Sequence, residues 1–87
     1  MAKPRSIRGA VKRGWPVVRI MGRDDISYMG IMNRVSLMTK GFHIQRYDMA
    51  GGGWFAFEDP ADAVIVQMKW GTMDEDARKL PKPYPGW

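Results

Sequence analysis

Alternation of apolar and polar residues predicts three strands in this chain. Successive side chains of a strand point to opposite faces of a sheet, so a repeat of two residues marks a strand. Segments 15–21, 42–47 and 54–58 show that repeat. In the first of them, Val18 and Ile20 share one face. The pattern therefore predicts strands at these three places.

The same alternation divides the side chains of the second and third predicted strands between two faces. In segment 42–47, the better core candidate is the set of Phe42, Ile44 and Arg46. Arg46 would then lie at the end of that face, where its head group can reach water. The opposite face of that strand carries His43, Gln45 and Tyr47. In the third strand, one face carries Phe55 and Phe57 and the other carries Trp54 and Ala56.

Three consecutive glycines at 51–53 separate the second and third predicted strands. Glycine adopts positive φ without a steric penalty, so the segment predicts a chain reversal and a hairpin with a loop of roughly five residues. A glycine loop that holds a phosphate group runs instead from a strand into a helix. These glycines join two strands, which favours the reversal.

Between the first two strands, the apolar spacing changes to that of a helix. Apolar residues recur every three or four positions in segment 26–40, and Gly41 is placed to end the helix. Asp24 or Asp25 is the predicted N-cap. The stripe predicted to face the core consists of Tyr28, Ile31, Met32, Val35 and Met38. A strand at 34–39 is the competing interpretation, and the helical spacing is favoured over it.

A second helix is predicted after the third strand. Asp59 can cap the first free backbone N–H groups, Pro60 suits the first helical position, and Asp62 adds negative charge to the first turn. Lys69 suits the last turn, and Gly71 is the predicted left-handed stop. The stripe predicted to face the core consists of Ala61, Val64, Ile65 and Met68.

These elements predict an α+β fold with the order β-α-β-β-α. Two helices with apolar stripes need one shared surface, so both are expected on one face of a three-stranded sheet. In one arrangement the third strand inserts antiparallel between the first two, giving a truncated ferredoxin-like or split βαβ fold. In the other, the first strand pairs beside the second or at the other edge. The second face is expected to be partly open and lined by Trp54, Tyr47, His43 or Val17.

Charge divides the chain unevenly. The 87 residues carry a net charge of +5, but residues 1–23 contain seven cations and no carboxylate, which leaves −2 on the rest. Residues 1–14 are predicted to be a basic N-terminal arm that is ordered poorly or only on contact. A single domain at 15–80 and a proline-rich tail at 81–87 follow. The asymmetry indicates an acidic partner, either nucleic acid or a protein surface.

Composition narrows the class of protein. No segment approaches the roughly 20 apolar residues of a membrane span, and the first residues lack the apolar run of a secretory signal. The chain contains no cysteine, and hence no disulfide and no thiolate metal site. A cytoplasmic protein that contacts no membrane is predicted.

The titratable residues do not form a catalytic pattern. His43 is the single histidine, and each acidic group is explained as a cap, a first-turn charge or part of a solvated segment. Adjacent carboxylates such as Asp24 and Asp25 point apart, and no residues have metal-ligand spacing. We therefore expect a protein that is not an enzyme and that needs neither a metal nor a cofactor.

The first functional hypothesis is a binder of nucleic acid or of a nucleoprotein complex. Cations of the arm and first strand would contact phosphates, and aromatic residues on an open sheet face would stack on bases. The candidate phosphate-binding residues are Lys3, Arg5, Arg8, Lys12, Arg13 and Arg19. The candidate stacking residues are Trp15, Tyr47 and Trp54.

The second hypothesis is a protein-binding module or inhibitor. It would dock the basic arm, together with Tyr84 and Trp87 of the tail, on an acidic protein surface. A third is a small structural subunit that forms a homo-oligomer or joins a larger assembly. A partner that stays bound after nuclease treatment would favour the second hypothesis over the first.

Segment 51–71 resembles the C-terminal portion of many small bacteriophage proteins. Those proteins carry an aromatic strand, an acidic step that often includes proline, and an Asp-Ala-apolar helix ending in Lys or Arg, Trp and Gly. The matching positions are Asp59, Pro60, Asp62, Ala63, Lys69, Trp70 and Gly71. The resemblance implies a viral accessory protein of the host cytoplasm that interferes with host or defence machinery, as anti-CRISPR proteins do. It implies no catalytic residues.

Overall fold

The computed structural model describes residues 3–47, 51–73 and 75. Within these residues the chain forms three helices and three strands. They are α1 (Ile7–Lys12), β1 (Val17–Met21), α2 (Tyr28–Met38), β2 (His43–Tyr47), β3 (Gly52–Phe57) and α3 (Pro60–Trp70). The helix that was predicted over 26–40 is confirmed as α2. The predicted tail, with Tyr84 and Trp87, lies outside the described residues.

β3 is the central strand of the sheet. It runs antiparallel to β1 and to β2, and Phe55 of β3 lies opposite Val18 of β1 and Gln45 of β2. The predicted α+β class is therefore confirmed, and the third strand does insert between the first two. This order is compatible with the truncated ferredoxin-like arrangement.

The larger core lies between one face of the sheet and helices α2 and α3, as predicted. Phe55 and Phe57 are fully buried there, with their rings stacked at a centroid separation of 6.1 Å. The helices and β1 add Val18, Ile20, Tyr28, Ile31, Val35, Ala63, Val66 and Trp70. The predicted stripe of α2 is confirmed, because Met32 and Met38 also pack against this core.

The predicted core-facing stripe of α3 is wrong. Ala63, Val66 and Trp70 face the core. The predicted stripe of Ala61, Val64, Ile65 and Met68 lies on the exposed side. Both sides of this helix are apolar, so helical periodicity offers two stripes and does not choose between them.

Asp62 helps to set the rotation of α3. Its carboxylate is buried and accepts hydrogen bonds from the backbone N–H groups of Lys40 and Gly41, at 3.2 and 2.8 Å. A buried carboxylate needs such donors, since burying it without them is costly. The sequence indicated a first-turn charge at this position and not a tie to the α2–β2 loop.

The ends of the helices differ in part from prediction. Asp59 caps α3 as predicted, accepting a hydrogen bond from the backbone N–H of Ala61 at 2.9 Å. Gly71 does not form the predicted left-handed stop, because its φ is −67° and it pairs with Ile20 at the outer edge of β1. Ser27 caps α2, and the predicted caps Asp24 and Asp25 lie upstream of it.

α1 covers the second face of the sheet. Ile7 and Ala10 of this helix are buried against Trp54 and Ala56 of β3. Val11, Trp15, Val17 and Ile44 pack around this smaller core. Residues 7–12 of the predicted N-terminal arm thus form a helix packed on the sheet. The prediction that this sheet face is partly open is wrong for the described residues.

The preferred core face of the second predicted strand is also corrected. The half-buried ring of His43 lies 5.8 and 5.6 Å from the rings of Phe55 and Phe57, on the side of the sheet that faces the larger core. Ile44 points to the other face and packs against the smaller core, while Phe42 is exposed. The register with β3 decides this, since it places His43 opposite Phe57.

The three glycines serve two purposes in the hairpin. Gly51 has φ of +83°, as the predicted chain reversal requires. Gly52 and Gly53 instead begin β3. A Cβ atom at Gly53 would overlap the ring of Tyr28, so glycine here allows the tyrosine of α2 to pack directly on the sheet.

Candidate nucleic-acid interface

Helix α1 is short but well terminated. The Ser6 side chain accepts a hydrogen bond from the backbone N–H of Gly9 at 3.1 Å, which caps the first turn. Gly14, with φ of +79°, follows the last turn, and its N–H donates to the Val11 carbonyl at 3.0 Å. Tertiary packing stabilises the helix, because Ile7 and Ala10 on one side are buried against the sheet.

The outer side of α1 is cationic. Four exposed cations lie on this side. Arg8 and Lys12 belong to the helix, Arg5 precedes its N-cap, and Arg13 is its C-cap. We call this set the α1 cationic surface. Arg8 and Lys12 are four residues apart, so they lie on the same side of the helix about 6 Å apart. The surface has no acidic neighbour in sequence, since residues 1–23 contain no carboxylate.

Beneath α1, two arginines flank a tryptophan across the sheet. The register places Arg19 of β1 and Arg46 of β2 directly opposite Trp54 on either side. The guanidinium of Arg19 lies 4.8 Å from the centroid of the Trp54 ring. Arg19 is 7% exposed and Trp54 is 4% exposed. This burial lowers the pKa of Arg19 from its usual value.

Arg46 is a candidate binding residue that the sequence analysis missed. It was predicted to lie at the end of a core face with its head group in water. It is exposed, and it lies on the same face of the sheet as α1. The alternation that pairs Arg46 with Ile44 was visible in the sequence. Its position across from Trp54 was not, because it follows from the strand order and register.

Lys3 and Trp15 hold the start of the chain against one end of the sheet. Lys3 forms an ion pair with Glu58, and its ammonium lies 5.6 Å from the centroid of the Phe42 ring. Trp15 meets the same ring edge-on, at a centroid separation of 6.0 Å. Both predicted binding residues therefore make structural contacts apart from the α1 cationic surface.

The predicted stacking residues do not come together. Trp54 is buried beneath α1, and Trp15 packs on Phe42. Tyr47 is exposed but lies on the α2 side of the sheet, 5.4 Å from the Tyr28 ring. Tyr84 and Trp87 lie outside the described residues. The structure thus gathers cations on one surface without assembling an aromatic platform there.

A separate cleft of about 550 Å³ surrounds Tyr28 and Tyr47. The Tyr28 hydroxyl donates a hydrogen bond to Gln45 Oε1 at 2.5 Å, and Met29 and Met32 line the apolar wall. Burial raises the pKa of Tyr28 to about 12, so its hydroxyl stays protonated at neutral pH. A protonated phenol held by an amide is a poor general base.

Nothing in the described ranges points to a metal centre or a membrane span. Within residues 3–47, 51–73 and 75, no group of three or more histidine or acidic side chains is placed to bind a metal ion. The helices of this part are too short or too polar to cross a bilayer. No protein-family model matches the chain, and the searches of curated proteins and of solved structures find no match. The resemblance to bacteriophage proteins stays a prediction.

Proposed function

We propose that this protein is a non-enzymatic nucleic-acid binder whose α1 cationic surface contacts the phosphate backbone. One observation carries the proposal: α1 packs its apolar side on the sheet and presents Arg5, Arg8, Lys12 and Arg13 to solvent. Exposed arginine and lysine side chains on a fixed helix neutralise phosphates and release condensed counterions, which supplies sequence-independent affinity.

The proposed mode is backbone contact and not base readout. Base stacking needs exposed aromatic rings next to the cations. Trp54 pairs with Arg46 across the sheet, but its ring is buried. Lys3, Arg19 and Arg23 make structural contacts with Glu58, Trp54 and Trp70, respectively. The proposed phosphate contacts are made by the four exposed cations of the α1 cationic surface, with Arg46 beside them.

The direct test is the salt dependence of binding to short DNA and RNA, followed by fluorescence anisotropy. With four phosphate contacts, log affinity should fall against log salt with a slope of about −4 on duplex DNA and about −3 on single strands. Scrambling the base sequence should leave the affinity nearly unchanged. Affinity that does not depend on salt, or no affinity at low salt, would contradict the proposal.

A pair of variants with equal charge change separates the surface from net charge. Arg8→Gln with Lys12→Gln removes two cations from α1. Arg34→Gln with Lys40→Gln removes two exposed cations from α2 and the loop after it. The α1 variant should reduce the salt slope by about 2 and weaken binding strongly, whereas the control should bind nearly as well as the unmodified protein. Equal losses in the two variants would refute a role for this surface.

An acidic protein surface is the alternative ligand for the same cations. Affinity purification with and without nuclease distinguishes the two, because a nucleic-acid-bridged complex is lost after nuclease treatment. A single protein partner that survives nuclease and releases on the Arg8→Gln, Lys12→Gln change would replace the proposed function with the protein-binding one.

A further inference from the structure

The outward side of α3 is apolar along its whole length. Val64, Ile65 and Met68 are 58%, 46% and 83% exposed, and Ala61 is exposed at the start of the same stripe. The opposite side of the helix is already occupied by the larger core. A solvent-facing side of a helix ordinarily carries charged or polar residues, and these four positions carry none. We call these four residues the α3 outer stripe.

We propose that the α3 outer stripe is the interface of a homodimer in which the α3 helices of two copies pack antiparallel around a twofold axis. An isologous interface requires a surface that is complementary to itself. When the twofold axis passes between Val64 and Ile65, Val64 of one copy contacts Ile65 of the other. The small Ala61 then meets the long Met68 of the second copy, so a short side chain faces a long one at both ends.

Charge complementarity supports the same orientation. An antiparallel pair places the last turn of one α3, with exposed Lys69, beside the first turn of the other, with exposed Asp59. The two helix dipoles are then opposed, which is also favourable. A parallel pair would bring Lys69 against Lys69 and Asp59 against Asp59. The stripe itself contains no charged residue that would need a partner.

A cavity next to the stripe supplies room for the second copy. It has a volume of about 320 Å³ and lies between the start of β1 and α3. Pro16 and Val18 form one wall, and the α3 residues Pro60, Val64 and Met68 of the same copy form the other. In the antiparallel pair, Met68 of the second copy lies at the Pro60 end of this cavity. Methionine is flexible enough to fill an irregular apolar gap of this kind.

The first test is the mass of the full-length protein in solution. An 11-residue helix provides a small interface, so a reversible dimer is expected. Sedimentation equilibrium should show a monomer–dimer transition between about 1 μM and about 1 mM protein. A monomer over that whole range would overturn the proposal.

Matched charge substitutions then locate the interface. Met68→Glu places a carboxylate in the α3 outer stripe, whereas Leu37→Glu makes the same change in net charge on an exposed position of α2. Both sites are on the surface, so circular dichroism should show intact folds. Met68→Glu should weaken dimerisation at least about tenfold, and Leu37→Glu should not. A dimer that Met68→Glu leaves unchanged would exclude this interface.

Cross-linking reports the orientation, because the native chain has no cysteine. In the variant Ala61→Cys, Met68→Cys the two sulfurs of one helix are seven residues apart, about 10 Å, which is too far for a bond within the chain. Oxidation should therefore produce covalent dimers, and peptide mapping should find position 61 joined to position 68. Links of 61 to 61 and 68 to 68 would contradict the antiparallel pairing. None of these outcomes bears on nucleic-acid binding, so the two proposals are tested separately.

Discussion

The two faces of the sheet are covered in different ways. One face lies under two helices of 11 residues each, and its core is built from stacked phenylalanines. The other lies under one helix of six residues, held by Ile7 and Ala10. Buried apolar area sets most of the folding free energy, so the first face stabilises the domain. The second face has the smaller covering helix and the exposed cations of α1, so it contributes charge more than stability.

The largest loss of stability is expected from a substitution in the larger core, under α2 and α3. Phe55→Ala removes a fully buried ring from the middle of the central strand and should cost about 3–5 kcal/mol. The free energy of unfolding of a small domain is about 5–15 kcal/mol, so this variant should be close to unfolded at 37 °C. Urea denaturation followed by circular dichroism measures the loss. Leu37→Ala, at an exposed site, is the control and should change stability by less than about 0.5 kcal/mol.

A smaller loss of stability is expected from a substitution in the smaller core, under α1. Ile7→Ala removes the largest apolar anchor of α1 and should cost about 2 kcal/mol, at the low end for a buried isoleucine, because a short surface helix can relax around the site. Hydrogen exchange should lose protection in α1 first, while β1, β2 and β3 keep theirs. If the loss of stability matched that of Phe55→Ala, the assignment of stability to one face would be wrong.

The smallest expected effect is a pH dependence of stability that comes from His43, beside the larger core. Burial against Phe55 and Phe57 lowers the pKa of His43, and nearby Asp62 offsets part of that shift. The unfolded chain takes up a proton near pH 6.5 and the folded chain only at a lower pH. Stability from this group is therefore complete above about pH 6.5 and declines as the pH falls below it.

Denaturation midpoints measured above and below that pH, in the unmodified protein and in His43→Gln, test the assignment. The variant should show a flatter dependence between neutral and mildly acidic pH. An unchanged dependence in His43→Gln would assign the effect to other groups. The smaller core, of Ile7, Ala10, Trp54 and Ala56, contains no histidine and no carboxyl group, so Ile7→Ala should not alter the dependence between neutral and mildly acidic pH.

Several elements were predictable because local chemistry specifies them. Asp59 and Pro60 mark the start of α3, and alternation marks the three strands. The rotation of α3 was not predictable, because both of its sides are apolar and the choice depends on Asp62 meeting a distant loop. Helix α1 was missed because Ile7, Ala10 and Val11 are too few for a clear period and Gly9 weakens helical propensity.

The candidate site was predictable in part for the same reason. The cations at Arg5, Arg8, Lys12 and Arg13 were identified by composition alone, since a run of one sign needs no tertiary information. The stacking role of Trp54 was not supported, because its burial depends on a helix that the periodicity did not reveal. Arg46 joined the site through strand register, which no local pattern specifies.

The positions of α1 and α3 on opposite sides of the sheet have a consequence for valency. Two copies joined back to back through α3 would point their charged helices away from each other. Such a particle cannot clamp one strand between its two halves, but it can tether two separate strands or fold one long strand into a loop. The second attachment would then be intramolecular, and avidity would exceed what either copy achieves alone.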